Sequence, residues 1–244
     1  MSGNIHIGIS GWSYWDWKGV FYPESMRSTD WLSFYAKEFD TTEINSSFYH
    51  MPRLKTATTW ADKVPAGFKF CPKISKYLTH NKRLKEPEEP LQRFFEAFSQ
   101  IKEYLGPVLI QLPPSLKFDA ETVQYFFEIL KTGYNEYHFA LEARHATWLE
   151  ADAAKLMKQY NIAWVISQSG VDFPYLEQVT ADTVYIRFHG PGKLYASSYT
   201  DEQMKEYAGK IKKWAKKHDV WIYFNNCYNG VAIENANTLR KYVK

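Results

Sequence analysis

Glu43 and Asn45 stand two residues apart in "TTEINSSFYH", residues 41–50, a segment that otherwise reads as a buried strand. Side chains alternate along a strand, so the two share one face. Charged groups near a core are costly unless paired or solvated, so such residues call for an explanation beyond packing. The signature recurs with Lys73 in "FKFCPKIS", Gln111 in "VLIQLPP", Glu142 and Arg144 in "HFALEAR", Arg187 and His189 in "TVYIRFHG", and Asn225 and Asn226 in "VWIYFNN". Two carboxylates from different strands, Glu43 and Glu142, can serve as acid and base across a substrate when their surroundings drive their pKa values apart. His189 titrates near neutrality and completes the candidate catalytic set. Lys73, Arg144 and Arg187 present three cations, and a guanidinium fork matches carboxylate or phosphate. Trp12, Asn45, His80, Gln111, His145, Asn225 and Asn226 join them as candidate substrate-binding residues. A salt-bridge layer plugging the interior would use the same residue types, and a structural histidine would look the same in sequence.

A divalent metal would need three or four oxygen and imidazole donors around one point, which Glu43, Glu142, His145 and His189 could supply. No HxH, HExxH or DxD spacing occurs, and the neighbouring cations would repel a metal, so no resident cofactor is expected. The loop "GWSYWDWKGVFY" concentrates Trp12, Tyr14, Trp15 and Trp17 within six residues. Such rings can stack on a sugar or a base, or pack as a lid on the rim, the reading favoured for Trp15 and Trp17. Cys71 and Cys227 form no CxxC and read as buried thiols.

Eight apolar runs rich in β-branched and aromatic residues must position these groups, beginning with "IHIGIS" and ending with "VWIYFNN". Helical patterns lie between most of them, including residues 30–39, 91–105, 120–134 and 200–219, and another closes the chain at 234–243. Alternating strands and helices predict a parallel sheet, and eight units predict a single-domain α/β fold over residues 1–244, a (β/α)8 TIM barrel. A doubly wound open sheet is the alternative, but the first turn lacks GxGxxG and is bulky. In a barrel the active site lies at the C-terminal ends of the strands. Alternation sends Glu43, Asn45, Lys73, Gln111, Glu142, Arg144, Arg187, His189 and Asn225 inward there, with Ile44, Leu141, Val184, Ile186 and Phe188 facing the helices.

With 45% hydrophobic residues and 18% aromatic, the 244-residue chain can fill such a core. A net charge of +3 falls short of a dedicated nucleic-acid surface but permits an anionic partner. No leader pattern and no run of about 20 apolar residues is present, so a cytoplasmic protein without membrane partners is expected.

The segments "ISGWSYWDWKGVFYP", "EINSSFYHMP", "LGPVLIQLPPS", "LEARHATW", "IRFHG" and "YFNNCYNGVAIENANTL" resemble the DUF72 (YecE-like) family over almost the whole chain. The resemblance implies a TIM barrel and supplies no reaction. A fold-level analogy extends to endonuclease IV and sugar-isomerase-like barrels. The functional expectation is an enzyme using carboxylate acid/base chemistry on a small anionic or phosphorylated ligand, sugar-like or nucleotide-like; its reaction would be that of a hydrolase, lyase or isomerase. The alternatives are a nucleic-acid-binding or repair protein resembling endonuclease IV and a non-catalytic ligand-binding barrel.

Overall fold

The computed structural model describes residues 3–170 and 173–244. Eight parallel strands run β1 (Ile5–Ile9), β2 (Thr41–Ile44), β3 (Lys69–Pro72), β4 (Val108–Gln111), β5 (Phe139–Glu142), β6 (Ile162–Gln168), β7 (Thr183–Phe188) and β8 (Asp219–Phe224). They pair in the order β3-β2-β1-β8-β7-β6-β5-β4. Isolated bridges from Phe70 to Leu105 and from Lys73 to Leu109 join the two ends and close the barrel. Among the described residues eight α-helices wrap it: α1 (Trp31–Glu38), α2 (Ser46–Tyr49), α3 (Leu54–Ala61), α4 (Glu88–Phe98), α5 (Ala120–Gly133), α6 (Ala151–Gln159), α7 (Asp201–Trp214) and α8 (Val231–Val243). The described residues between β6 and β7 form no helix. Among the described residues no helix is long and apolar enough to cross a membrane.

Alternation divides the apolar residues into two bodies. Ile44, Leu141, Val184, Ile186, Phe188 and Phe224 pack outward with the helices in one large core. A smaller one fills the barrel itself, made of Cys71, Leu109, Ala140, Ala163, Val165, Tyr185, Trp221 and Tyr223. Cys71, Leu109, Ala140, Tyr185 and Tyr223 each stand two residues before Lys73, Gln111, Glu142, Arg187 and Asn225 in turn, so the site rests on a packed floor. Gly8 shows how tight that interior is, since an added Cβ would lie 2.1 Å from the Thr41 carbonyl oxygen. Among the segments expected to be helical, α7 is capped as its sequence demands. The Thr200 side chain accepts from the Gln203 N–H and the Gln203 side chain accepts from the Thr200 N–H, a complete capping box.

Candidate functional site

Just above the apolar plug lies a buried ionic cluster. Arg187 donates from Nε and Nη2 to the two oxygens of Glu43 at 2.8 and 2.9 Å, and from Nη1 to Glu142 Oε2 at 2.5 Å. Glu43 also accepts from Ser10 Oγ at 2.6 Å and from Tyr185 OH at 2.9 Å. Arg144 approaches Glu142 Oε1 from the other side, at 2.9 Å from Nε and 2.8 Å from Nη2. Burial alone would raise the Glu142 carboxyl, but Arg187 and Arg144, with His189 beside it, hold it well below the ordinary carboxylate range. The two glutamates therefore do not face each other across an open mouth as the sequence suggests: the Arg187 guanidinium occupies the space between them.

His189 is fully buried, and burial followed by the nearby guanidiniums lowers its pKa against the pull of Glu142. Asn225 Nδ2 lies 3.0 Å from His189 Nδ1. With the amide donating, Nδ1 accepts and Nε2 carries the proton. Nε2 points toward Glu142 Oε1 at 3.6 Å, too far for a hydrogen bond, and has no partner among the described residues.

Over this cluster opens a cavity of about 690 Å³, a volume usual for small-molecule sites. Lys73, Gln111, Arg144, Arg187, Asn45, Asn225 and His80 line it, together with Tyr14, Asp16, Phe48, Tyr49, Lys76, Tyr195 and Tyr228. Lys73 Nζ donates to Gln111 Oε1 at 2.6 Å and lies 3.9 Å over the Phe48 ring. Burial first, then Arg187, lowers its pKa to about 7, against the opposing pull of Glu142 and Glu43. His80 hydrogen-bonds Thr79 Oγ1 through Nδ1 and meets Phe48 edge to face. Burial and then Lys73 lower its pKa to about 4, so it is neutral at pH 7. Arg144 is further held by the Phe173 ring, 4.3 Å from its guanidinium carbon.

Three of the residues expected in the site stand elsewhere. Trp12 packs edge-on against Trp60 and beside Phe70, outside the barrel wall, because Gly11 turns the chain with a φ of +106°. The His145 side chain caps a short 3-10 turn by accepting from the Thr147 N–H. Asn226 points away from the mouth and donates to the Ser197 carbonyl and to Asn235 Oδ1, tying the loop after β7 to α8. Of the expected lid, Trp17 is buried and donates to the Cys227 carbonyl, while Trp15 stays 70% exposed. Both cysteines are buried free thiols. Among the described residues no set of three or more His, Cys, Asp or Glu side chains converges as a metal site.

Sequence reading misses Tyr185, although it shares parity with Arg187, and the rim residues Tyr49, Tyr195 and Tyr228. Their exposures of 69%, 42% and 61% mark them as rings presented to solvent around the cavity, a feature of loops that periodicity does not reach.

A closed (β/α)8 barrel with a charged pocket at its C-terminal mouth is the class that fold and geometry define. Within it, residues 6–244 match the family described as "Protein of unknown function DUF72", and the chain belongs to that family. A DUF72 family protein of Thermotoga maritima is 29% identical, with 98% of each chain covered and a TM-score of 0.87. A second, from Enterococcus faecalis, is 20% identical over 98% of this chain and 95% of that one, with a TM-score of 0.83, and shows the fold alone. The UPF0759 protein YecE of Escherichia coli K12 is 23% identical over 141 residues, 58% of this chain and 48% of that protein. The match thus spans about half the length of that relative.

Proposed function

We propose that the chain is an enzyme that binds a small anionic substrate, sugar-like or nucleotide-like, in the cavity above the Glu43–Arg187–Glu142 cluster. One observation carries the reading: Lys73, Arg144 and Arg187 meet around two carboxylates, and among the described residues Lys73 meets no carboxylate of its own. An anion completes that charge balance. Tyr49, Tyr195 and Tyr228 around the rim suit a ring or sugar face above the anionic group.

The chemistry differs in its agents from the carboxylate pair that the sequence suggests. Glu43 and Glu142 are saturated by Arg187 and do not line the cavity, so their role is to hold Arg187 and Arg144 in place. Lys73, whose pKa lowered to about 7 leaves it able to exchange protons near neutrality, is the group suited to proton transfer. That chemistry fits an isomerase or a lyase.

Phosphate, sulfate and citrate should each stabilise the folded chain, by about 2.7 kcal/mol at a hundred times the dissociation constant. The gain should shrink in Lys73→Met, which removes one of the cations around the cavity and keeps the side-chain volume, and persist in full in Lys213→Ala on the outer helix α7. Equal rises in melting temperature for all three proteins would mean general salting and would refute the anion pocket. A steep fall of affinity with salt for single-stranded oligonucleotides, reporting many phosphate contacts, would favour nucleic-acid binding instead.

A further inference from the structure

Lys73 is tethered unlike the lysines that pair with carboxylates among the described residues. Lys82, Lys102 and Lys210 each meet a glutamate at the surface. Lys73 is 7% exposed and meets an amide oxygen and an aromatic face instead. A carboxylate would lock the ammonium form, whereas the neutral Gln111 oxygen can accept from either an ammonium or a neutral amine and adds no full negative charge to hold the proton. Gln111 is held in that orientation because its Nε2 donates to the Leu112 carbonyl at 2.9 Å. The main chain of Lys73 is fixed from both sides as well, its N–H donating to the Ile44 carbonyl and its own carbonyl accepting from Ser47 Oγ at 2.7 Å. The amine is thus a positioned group at a strand end, aimed into the cavity, with little freedom to leave it.

Around it stand Glu43 from β2, Gln111 from β4, Glu142 and Arg144 from the end of β5, Arg187 from β7, and Lys76 and His80 from the loop after β3. The two arginines and Lys76 disfavour a further positive charge, and the Phe48 face and the glutamates partly offset them. Desolvation beside other cations is an established way to make a lysine a nucleophile.

We propose that Lys73 attacks the carbonyl carbon of an anionic aldehyde, ketone or 2-oxo acid and holds it as a Schiff base. This deepens the reading of the cavity as an anion pocket and rests on it. The Nζ lone pair forms the C–N bond as the carbonyl π electrons move to oxygen, which takes a proton, giving a carbinolamine. A second proton on that oxygen lets it leave as water, while nitrogen retains one proton as the iminium. One water is released and one proton taken up in all, with no oxidant or reductant required. His80, which packs edge to face against the same Phe48 ring and lines the cavity, can relay protons between oxygen and solvent through its neutral imidazole. The anionic group would rest on Arg144 and Lys76. The iminium then withdraws electrons from the adjacent carbon, which eases C–H or C–C cleavage there, in keeping with an isomerase or lyase.

The test traps the imine. The full chain is incubated at pH 7 with sodium cyanoborohydride and either pyruvate or glyceraldehyde 3-phosphate, and adducts are located by intact mass and peptide mapping. One adduct per chain is expected, on Lys73 at least about tenfold above any surface lysine, because a lysine with a lower pKa holds more free amine at this pH. Lys73→Arg and Lys73→Met should lose it, Lys213→Ala should keep it, and phosphate should slow it. Trapping by pyruvate alone assigns 2-oxo acids, and by glyceraldehyde 3-phosphate alone phosphorylated carbonyls. Adducts spread over surface lysines, or absent from Lys73 with both probes, overturn the Schiff base. Thermal shifts with phosphate on the same preparations report separately whether the anion pocket stands.

Discussion

Arg187 shows how much depends on one side chain at the residue scale. It is 1% exposed and directs three N–H bonds at two buried carboxylates. Removing one partner of a buried ion pair leaves the other uncompensated, so Arg187→Met should cost about 3–5 kcal/mol in urea denaturation. A loss below about 1 kcal/mol would mean that water reaches the glutamates. For this reason Arg187→Ala is a poor test of anion binding. The residue types were legible because alternation carries side-chain direction to within a residue of the strand end, as with Glu43, Lys73, Gln111, Glu142 and Arg187. His145 and Asn226 fall one residue out of phase with Arg144 and Asn225, and neither lines the cavity. Trp12 follows a glycine turn, and beyond such a turn no period operates.

Elements position these residues through backbone ties that the sequence announces unevenly. The capping box at Thr200 could be read directly from Thr200 and Gln203, and Thr200→Ala should cost about 1 kcal/mol by urea denaturation. The change should leave phosphate-dependent stabilisation untouched, since α7 meets the cavity nowhere among its lining residues. A loss of phosphate binding in this variant would show that the loop before α7, which carries Tyr195, depends on the cap. Less legible is Gly8, which sequence reading passes over. Gly8→Ala would press a Cβ onto the Thr41 carbonyl in the neighbouring strand, with no flexible group to yield, and should cost about 3 kcal/mol. Gly230 caps the start of α8 with a φ of +78°, a left-handed conformation that favours glycine.

At the scale of the whole molecule, opposing titrations set the pH of greatest stability. His80 has its pKa lowered to about 4 from 6.5, and His189 and Glu142 are lowered too. A lowered folded pKa gives stability that is present above the unfolded value and lost as pH falls through the folded one, so stability should decline on acidification below about pH 6.5. Above neutrality Lys73 dominates. Its folded pKa of about 7 against an ordinary 10.5 means that the unfolded chain binds more protons between these values, so its contribution grows as pH rises. Cys227, pushed up to about 12 from 9.0, and the buried tyrosines Tyr35, Tyr185 and Tyr223, raised above 10.0, act oppositely. Their stability is full below the unfolded values and lost as pH rises past 9 to 10. The window that isolates Lys73 is therefore pH 7 to 9. Urea unfolding of the wild-type chain should show stability rising across it, whereas Lys73→Met should be nearly flat. At pH 6, where the buried amine is charged, the variant should exceed wild type by about 1–4 kcal/mol, the range for replacing buried charge with packed apolar volume. The gap should narrow toward pH 9. A constant gap across the window would mean that Lys73 keeps an ordinary lysine pKa in the folded chain, and with it the amine would lose the property that suits it to proton transfer and to attack on a carbonyl.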